Sequence, residues 1–274
     1  MKRTARIARS YLAEALSVNQ SLTLDKRASH HLSTVLRLNT GSRIILFNGD
    51  GNDYLAEVIQ SGKQTIVQIV QQLPVLSESP VSITLIQAVS RSDRMDATVR
   101  QSVELGAVRI CPVYSRHSIA PLDTARAVKK HAHWKNILIS ASEQSGRSLL
   151  PDIGMPQSLA DCLLHFSKST NNEQQRRIVL APVAISGLLQ DRPEIDANAN
   201  ASVQAPPKVI PPQHLQEHSI LLIAGPESGL DEDELQLAED AGFIRTQLGP
   251  RILRTETAGP AAIASLQTLY GDFA

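Results

Sequence analysis

Twelve residues close to the C-terminal end, Gly249-Pro-Arg-Ile-Leu-Arg-Thr-Glu-Thr-Ala-Gly-Pro260, hold the densest polar cluster of this chain. Arg251, Arg254 and Glu256 fall within six positions, and such a set is costly to bury unless its members pair or meet a ligand. Its guanidinium groups could stabilise an anion developing on a substrate, and its carboxylate could orient an arginine or take a proton. A second candidate, Gly225-Pro-Glu-Ser-Gly229, directly follows the apolar run SILLIA. Glycines there would let backbone amides approach a ligand, although a tight turn needing glycine accounts for the same pattern. The stretch is neither a GxGxxG fingerprint nor a Walker loop, so by pattern alone it is a ligand loop of unspecified kind.

The elements around these loops follow from periodicity. SITLIQAV, AVRICPVY, RRIVLAPVA, SILLIAGP and FIRTQL read as strands. Helical patterns separate several of them: SDRMDATVRQSVELG with Met95, Val99 and Val103 on one face, HAHWKNILISASEQSG, and DEDELQLAEDAG, where Asp231 and Glu234 have capping-box spacing. Strands alternating with helices predict a mostly parallel sheet covered on both faces. Both polar loops then open at one edge of that sheet. Ile263, Leu266, Leu269 and Tyr270 have helical spacing and would anchor the polar loop 249–260 from behind.

Residues 1–75 follow a different grammar. SRIILFNGDGNDYLAEVIQ alternates and breaks at NGDGND, a hairpin signal, and KQTIVQIVQQL continues in β-branched residues. ASHHLSTVLRL reads as a short helix. The expected organisation is a small β-rich, barrel-like domain over 1–75 and an α/β domain over 76–274, interrupted by a flexible insertion at 190–213 with five prolines.

Composition narrows the function classes. The chain has 274 residues, 42% of them hydrophobic and 20% charged, which predicts a folded protein with room for two domains. Only 3% are aromatic, so its cores must be built mostly from Leu, Ile, Val and Ala. Cys111 and Cys162 are isolated, which excludes a disulfide scaffold and a thiolate metal cluster and fits a reducing cytoplasm. No secretory signal and no apolar run long enough to span a bilayer is expected.

The formal charge is zero, but it is unevenly spread. Residues 1–43 carry eight Lys/Arg against two carboxylates, residues 91–147 ten against five, and residues 171–240 four against twelve. A polarised molecule can offer a basic face to a polyanion while staying neutral overall, although charge fluctuation on solvated faces gives the same counts.

ILRTETA after LGP, GPESG after a strand, ASEQSGR at 141–147, RMDATVRQSVELG at 94–106 and HHLSTVLRLNTGSRIILFNGDG at 30–51 occur in order along nearly the whole chain. Together they resemble the bacterial 16S ribosomal RNA uridine-N3 methyltransferases, of the SPOUT class of S-adenosylmethionine enzymes. The resemblance implies a PUA-like N-terminal barrel and a C-terminal α/β domain tied in a deep trefoil knot. It also implies a cytoplasmic homodimer acting on the 30S subunit, with U1498 of 16S rRNA as the target and no metal or membrane partner.

Carried over motif by motif, the resemblance implies cofactor contacts from Leu180, Pro182, Gly225, Pro226, Glu227, Gly229, Leu248, Gly249, Ile252, Leu253, Arg254 and Ala258. It implies RNA contacts from Arg9, His31, Arg37, Arg91, Arg94, Arg116, Glu143, Gln144 and Arg147. Arg254 and Arg251 would stabilise the uracil anion, while Glu256, Glu227 or solvent would take the N3 proton. Three positions depart from the family pattern. Ser228 replaces a usual glycine and fits only if its φ stays negative, Ala181 replaces a polar side chain, and Arg94 replaces a usual lysine.

Overall fold

The computed structural model describes residues 7–74, 78–168, 175–182, 186–188 and 219–273. The insertion expected at 190–213 lies outside the described residues, as do Lys2, Arg3 and Arg6. The chain divides into two compact units, residues 1–78 with 142–150, and residues 79–141 with 151–274.

The first unit contains β1 (Ala8–Tyr11), β2 (Ser21–Thr23), α1 (Lys26–His30), β3 (Arg43–Phe47), β4 (Asp53–Gln60) and β5 (Ile66–Leu73). They form a five-stranded sheet in the order β1-β3-β4-β5-β2, with β1 parallel to β3 and the other pairs antiparallel. The β3–β4 hairpin turns where NGDGN predicts. Asn48 Oδ1 accepts from the Asp50 amide at 3.1 Å and Asp50 Oδ1 from the Asn52 amide at 2.8 Å, two side-chain turns in succession. Leu32, Ile44, Leu46, Val67 and Ile69 close a mostly aliphatic core that also takes in Tyr54. The helix expected at 28–38 begins earlier, at Lys26, because Asp25 Oδ1 caps the Ala28 amide at 2.7 Å. It continues as a wider π-helical turn, His31–Val35, after which Arg37 takes φ +53°.

Residues 142–150 join this unit through charge rather than apolar area. The Arg147 side chain is 4% exposed, and its Nη2 donates to Glu78 Oε2 at 2.8 Å. Glu78 Oε1 also accepts from the Ser148 and Leu149 amides, both at 3.2 Å. Arg9 forms an ion pair with Asp53, donates to the Arg147 carbonyl at 3.0 Å and lies over the Phe47 ring.

The second unit contains β6 (Ser82–Ala88), α2 (Ser92–Glu104), β7 (Ala107–Tyr114), α3 (Thr124–Ser145, counted here to Ala141), β8 (Asp152–Ile153), β9 (Gln157–Ser158), α4 (Leu159–Lys168), β10 (Gln175–Leu180), β11 (Ser186–Gly187), β12 (Ser219–Ala224), α5 (Glu232–Asp240), β13 (Ile244–Gln247) and α6 (Thr255–Tyr270). The sheet order is β11-β13-β10-β12-β6-β7-β8, with β9 beside β7, and every pairing is parallel. β6 and β12 lie in its middle and are buried along almost their whole length, as their unbroken apolar runs require.

Two helices differ from expectation. α3 starts at Thr124 rather than near His131, because Asp123 Oδ1 accepts from the Arg126 amide at 2.9 Å and supplies a start signal upstream of the apolar pattern. α6 starts at Thr255, inside the stretch expected to be loop, and runs through Gly259 and Pro260. The Thr257 and Ala258 amides bond to the Arg254 carbonyl at 2.9 Å, closing the first turn before the proline removes a donor. Gly259 marks close packing rather than a break. A Cβ there would sit 3.2 Å from Gln87 Oε1 and 3.4 Å from Leu85, so the missing side chain lets α6 lie against β6.

Candidate active site

A cleft of about 330 Å³ opens in the second unit at the carboxyl ends of three adjacent strands, β13, β10 and β12. In an open parallel sheet, ligands bind at this edge, and the volume falls at the lower end of the range for small-molecule pockets. Three loops and the start of α6 line it: 180–182 after β10, 225–229 after β12, and 247–253 after β13 with Thr255 and Ala258.

Of the residues that the resemblance implies for the cofactor, Leu180, Pro182, Gly225, Pro226, Glu227, Gly229, Leu248, Gly249, Ile252, Leu253 and Ala258 are brought together in this lining, with Arg251 beside them. Arg254 flanks the cleft as the residue before α6, with its side chain 80% exposed. Ser228, Gln247 and Ala181 complete the lining. Ser228 has no positive φ; the left-handed position in that turn belongs to Gly229, at +79°, so a serine fits where the family usually has glycine.

The loop geometry is braced from below by Gln87, which the motifs do not mark, and by Thr255 of the ILRTETA stretch. Gln87, fully buried at the end of β6, points its Nε2 at the Gly225 carbonyl at 3.3 Å and at Thr255 Oγ1 at 3.2 Å. Thr255 Oγ1 in turn donates to the Gly225 carbonyl at 2.9 Å. The available signal was a single amide side chain at the end of the otherwise apolar run SITLIQAV. Gly225 is confined as well, since a Cβ would lie 3.0 Å from the Leu230 amide and 3.2 Å from Gly229 backbone atoms, none of which can swing aside.

One carboxylate, Glu227, and one cation, Arg251, stand in a lining whose other members are neutral, with the polar side chains of Ser228, Gln247 and Thr255 among apolar residues and glycines. Leu180, Leu248, Leu253 and Ile252, the last 86% exposed, offer faces for a flat apolar ring. The glycine and proline turns bring main-chain groups to its edges. This donor set fits a purine nucleoside better than a metal, and no group of three or more potential metal ligands occurs among the described residues.

Beside the cleft lies a chain of alternating charges. Arg94 Nη1 is 3.1 Å from Glu227 Oε1, Arg94 Nε is 4.0 Å from Glu256 Oε2, and Arg254 Nη1 is 3.9 Å from Glu256 Oε1. The Arg91 amide approaches Glu227 Oε1 at 3.4 Å. Arg116 is tied elsewhere: its Nη1 meets Asp233 at 3.1 Å and Asp231 at 2.7 Å, and its amide meets Glu234 at 2.7 Å. The hydrogen bond to Asp233 and the neighbouring carboxylate charges raise its already high pKa.

The other residues implied for RNA lie in the first unit. Arg9 and Arg147 have the internal partners described above. Glu143 accepts from the Tyr11 amide at 3.0 Å and pairs with Arg27 at 3.2 Å. His31 is half-buried, whereas Arg37 and Gln144 are exposed.

Comparison with known proteins decides the family. Residues 77–267 match the RNA methyltransferase domain family, and residues 24–70 match the RNA methyltransferase PUA domain. The chain is 32% identical over 268 residues to ribosomal RNA small subunit methyltransferase E of Buchnera aphidicola subsp. Schizaphis graminum, covering 97% of this chain and 98% of that protein. It belongs to the ribosomal RNA small subunit methyltransferase E family. The Bacillus subtilis member is 28% identical across 89% of this chain and 90% of its own length. The crystal structure of the Neisseria gonorrhoeae member, bound to S-adenosyl methionine, superposes with a TM-score of 0.78 at 36% identity and covers 98% of this chain and all of that one. The N-terminal PUA-like unit and the parallel α/β unit are therefore those of a family of RNA-modifying enzymes.

Proposed function

We propose that this chain transfers a methyl group from S-adenosylmethionine to N3 of one uridine in 16S rRNA, the family's U1498, as part of the small ribosomal subunit. The observation that carries the reading is the cleft at the ends of β13, β10 and β12, where three backbone-rich loops and four aliphatic side chains converge on a volume suited to a nucleoside. Leu180, Leu248, Ile252 and Leu253 would hold the adenine faces, and the turns at 225–229 and 248–249 would read its edges through main-chain groups. When bound there, S-adenosylmethionine would supply an electrophilic methyl carbon on sulfonium, taken by the N3 electron pair as the carbon–sulfur pair returned to sulfur.

This chain's residues have two further tasks. They must hold uracil so that N3 faces the cleft, because a misplacement of about 1 Å can cost roughly a hundredfold in rate. They must also remove the N3 proton, since the neutral imide has no free pair. Arg254 and Arg251 would stabilise the negative charge that spreads to the uracil oxygens, and Glu256 or Glu227 would receive the proton. N3 sits on the pairing edge, so the target uridine must be unpaired when it is modified. The first unit would supply affinity and register through phosphate contacts.

In the same reading, the α/β unit is knotted and works as a cytoplasmic homodimer. The course of the chain supports the knot: β13 joins the sheet on the far side of β10 from β12, yet α6, which follows it, returns to pack with Ile83 and Leu85 of β6. No described helix is long and apolar enough to cross a membrane.

The test is methyl transfer from labelled S-adenosylmethionine to 30S particles, and separately to free 16S RNA, both from cells lacking the modification. Digestion and mass identification should recover the label as N3-methyluridine at one site. Label in another nucleoside would overturn the assignment of the target. Sedimentation of the unliganded protein at twice the chain mass would support the dimer, and a monomer would oppose it.

A further inference from the structure

Glu256, in the first turn of α6, carries one carboxylate oxygen, Oε2, that is shielded from solvent and accepts no hydrogen bond among the described residues. Its nearest cation on that side is Arg94 Nε, at 4.0 Å, beyond hydrogen-bonding range. A buried acceptor of this kind calls for a partner, and beside a cleft a substrate proton is one partner it can take. Arg94 at the same time holds Glu227 Oε1 at 3.1 Å. One guanidinium, carried on the first turn of α2, thus stands between carboxylates from two separate elements, the loop after β12 and the first turn of α6.

We propose that Arg94 is a positioning residue for methyl transfer: it fixes Glu227 and Glu256 together beside the cleft and so keeps Glu256 Oε2 placed to accept the N3 proton. This rests on the proposed function and deepens it. It also departs from the RNA-contact role that the resemblance gives this arginine.

The physical case is one of preorganisation. Arg251 is exposed and the Arg254 side chain is 80% exposed, so both are free to swing in water and an ion pair made by either one holds a carboxylate only weakly. Arg94 is two-thirds covered, sits on a regular helix, and is held by the residues it holds. Without it, Glu227 would lose its 3.1 Å ion pair and Glu256 would keep only the exposed Arg254 at 3.9 Å, so both carboxylates would be freer to turn toward water. The planar fork of arginine can address both at once, whereas the point charge of lysine can favour only one. The proton taken by Glu256 from N3 leaves the imide pair free for the methyl carbon and passes on to solvent once the product departs.

The experiment is a double-mutant cycle on the full-length protein with R94A, R94K, E256Q and R94A/E256Q. Methyl transfer is measured at varied RNA concentration, and RNA affinity at varied salt. R94A should lower kcat by about a hundredfold, the scale of a misplaced reacting group, while KM for RNA changes less than about twofold. R94K should recover part of the loss. The double variant should be no slower than E256Q alone, because both changes remove the same step. Cofactor affinity by calorimetry checks that each variant is folded, and R94K serves if R94A is not. The proposal is overturned if the two losses multiply. It is equally overturned if R94A raises KM with kcat intact and makes the slope of log affinity against log salt shallower by about one, the sign of a lost phosphate contact. The salt slope needs no turnover, so it judges Arg94 even if the wild-type rate were to refute the methyl-transfer reading.

Discussion

Arg147 in the first unit and Arg254 in the second come from equally polar stretches, ASEQSGR and ILRTETA, and end in opposite circumstances. The Arg147 side chain is 4% exposed and bonded to Glu78 at 2.8 Å; that of Arg254 is 80% exposed, with Glu256 at 3.9 Å. Glu78 is further satisfied by two backbone amides, so the first pair is closed on itself. The second keeps most of its donors facing water beside a cleft. A guanidinium that has all its partners within the fold stabilises the fold, and one that lacks them is available to a ligand. Arg9, whose terminal nitrogens meet Asp53, Ser148 and the Arg147 carbonyl, stands closer to the first kind.

The comparison is sharpest in stability. R147A should destabilise the first unit by about 3 to 5 kcal/mol, the usual cost of leaving a buried charge without its partner. Denaturant unfolding followed by Tyr fluorescence would read this. A loss below about 1 kcal/mol would mean that water replaces the guanidinium. R254A, by contrast, should leave the unfolding midpoint unchanged, because an exposed pair contributes little. It should lower methyl transfer about a hundredfold, or roughly 2.7 kcal/mol of transition-state stabilisation. A destabilised but active R254A would reverse the distinction drawn here.

T255V probes the brace beneath the cleft. Removing the hydroxyl leaves the Gly225 carbonyl with Gln87 Nε2 at 3.3 Å, and should cost about 1 kcal/mol, visible as a lowered Tm. The smallest effect concerns Glu232, whose pKa is lowered, chiefly by the hydrogen bond from Arg245. Its folded pKa lies below the unfolded value, so the stability it contributes is present at neutral pH and lost as pH falls through the carboxylate range. The Glu232 side chain is 77% exposed, so the Tm difference between wild type and E232Q should be slight at pH 7 and vanish near pH 3.

Much of the second unit was legible because its signals are local. Unbroken apolar runs gave β6 and β12, and Asp231 with Glu234 forms the capping box that their spacing predicts, at 2.9 and 3.1 Å. The cleft loops were legible because glycine and proline cluster after two of these strands. What escaped depends on contacts distant in sequence. Gly259-Pro260 looks like a helix breaker until β6 is seen packed against it. The start of α3 depends on Asp123, which lies outside the apolar periodicity. Residues 142–150 join the first unit through Glu78, Arg9 and Asp53, from 69 to 139 positions away, and periodicity carries no trace of such pairs. Gln87 was visible as a lone amide in an apolar strand, but its partners, Gly225 and Thr255, were not.

The central claim is that the cleft at the ends of β13, β10 and β12 holds the methyl donor. Calorimetric titration of S-adenosylmethionine into the wild-type protein and into G225V tests it most directly, since a side chain at 225 would press on the Leu230 amide and the Gly229 backbone. The account predicts saturable binding, one cofactor per cleft, to the wild type, and at least a tenfold loss in G225V under conditions where the second unit, which carries the substitution, still unfolds as a cooperative whole. Equal binding by both proteins, or no binding by the wild type, would contradict it.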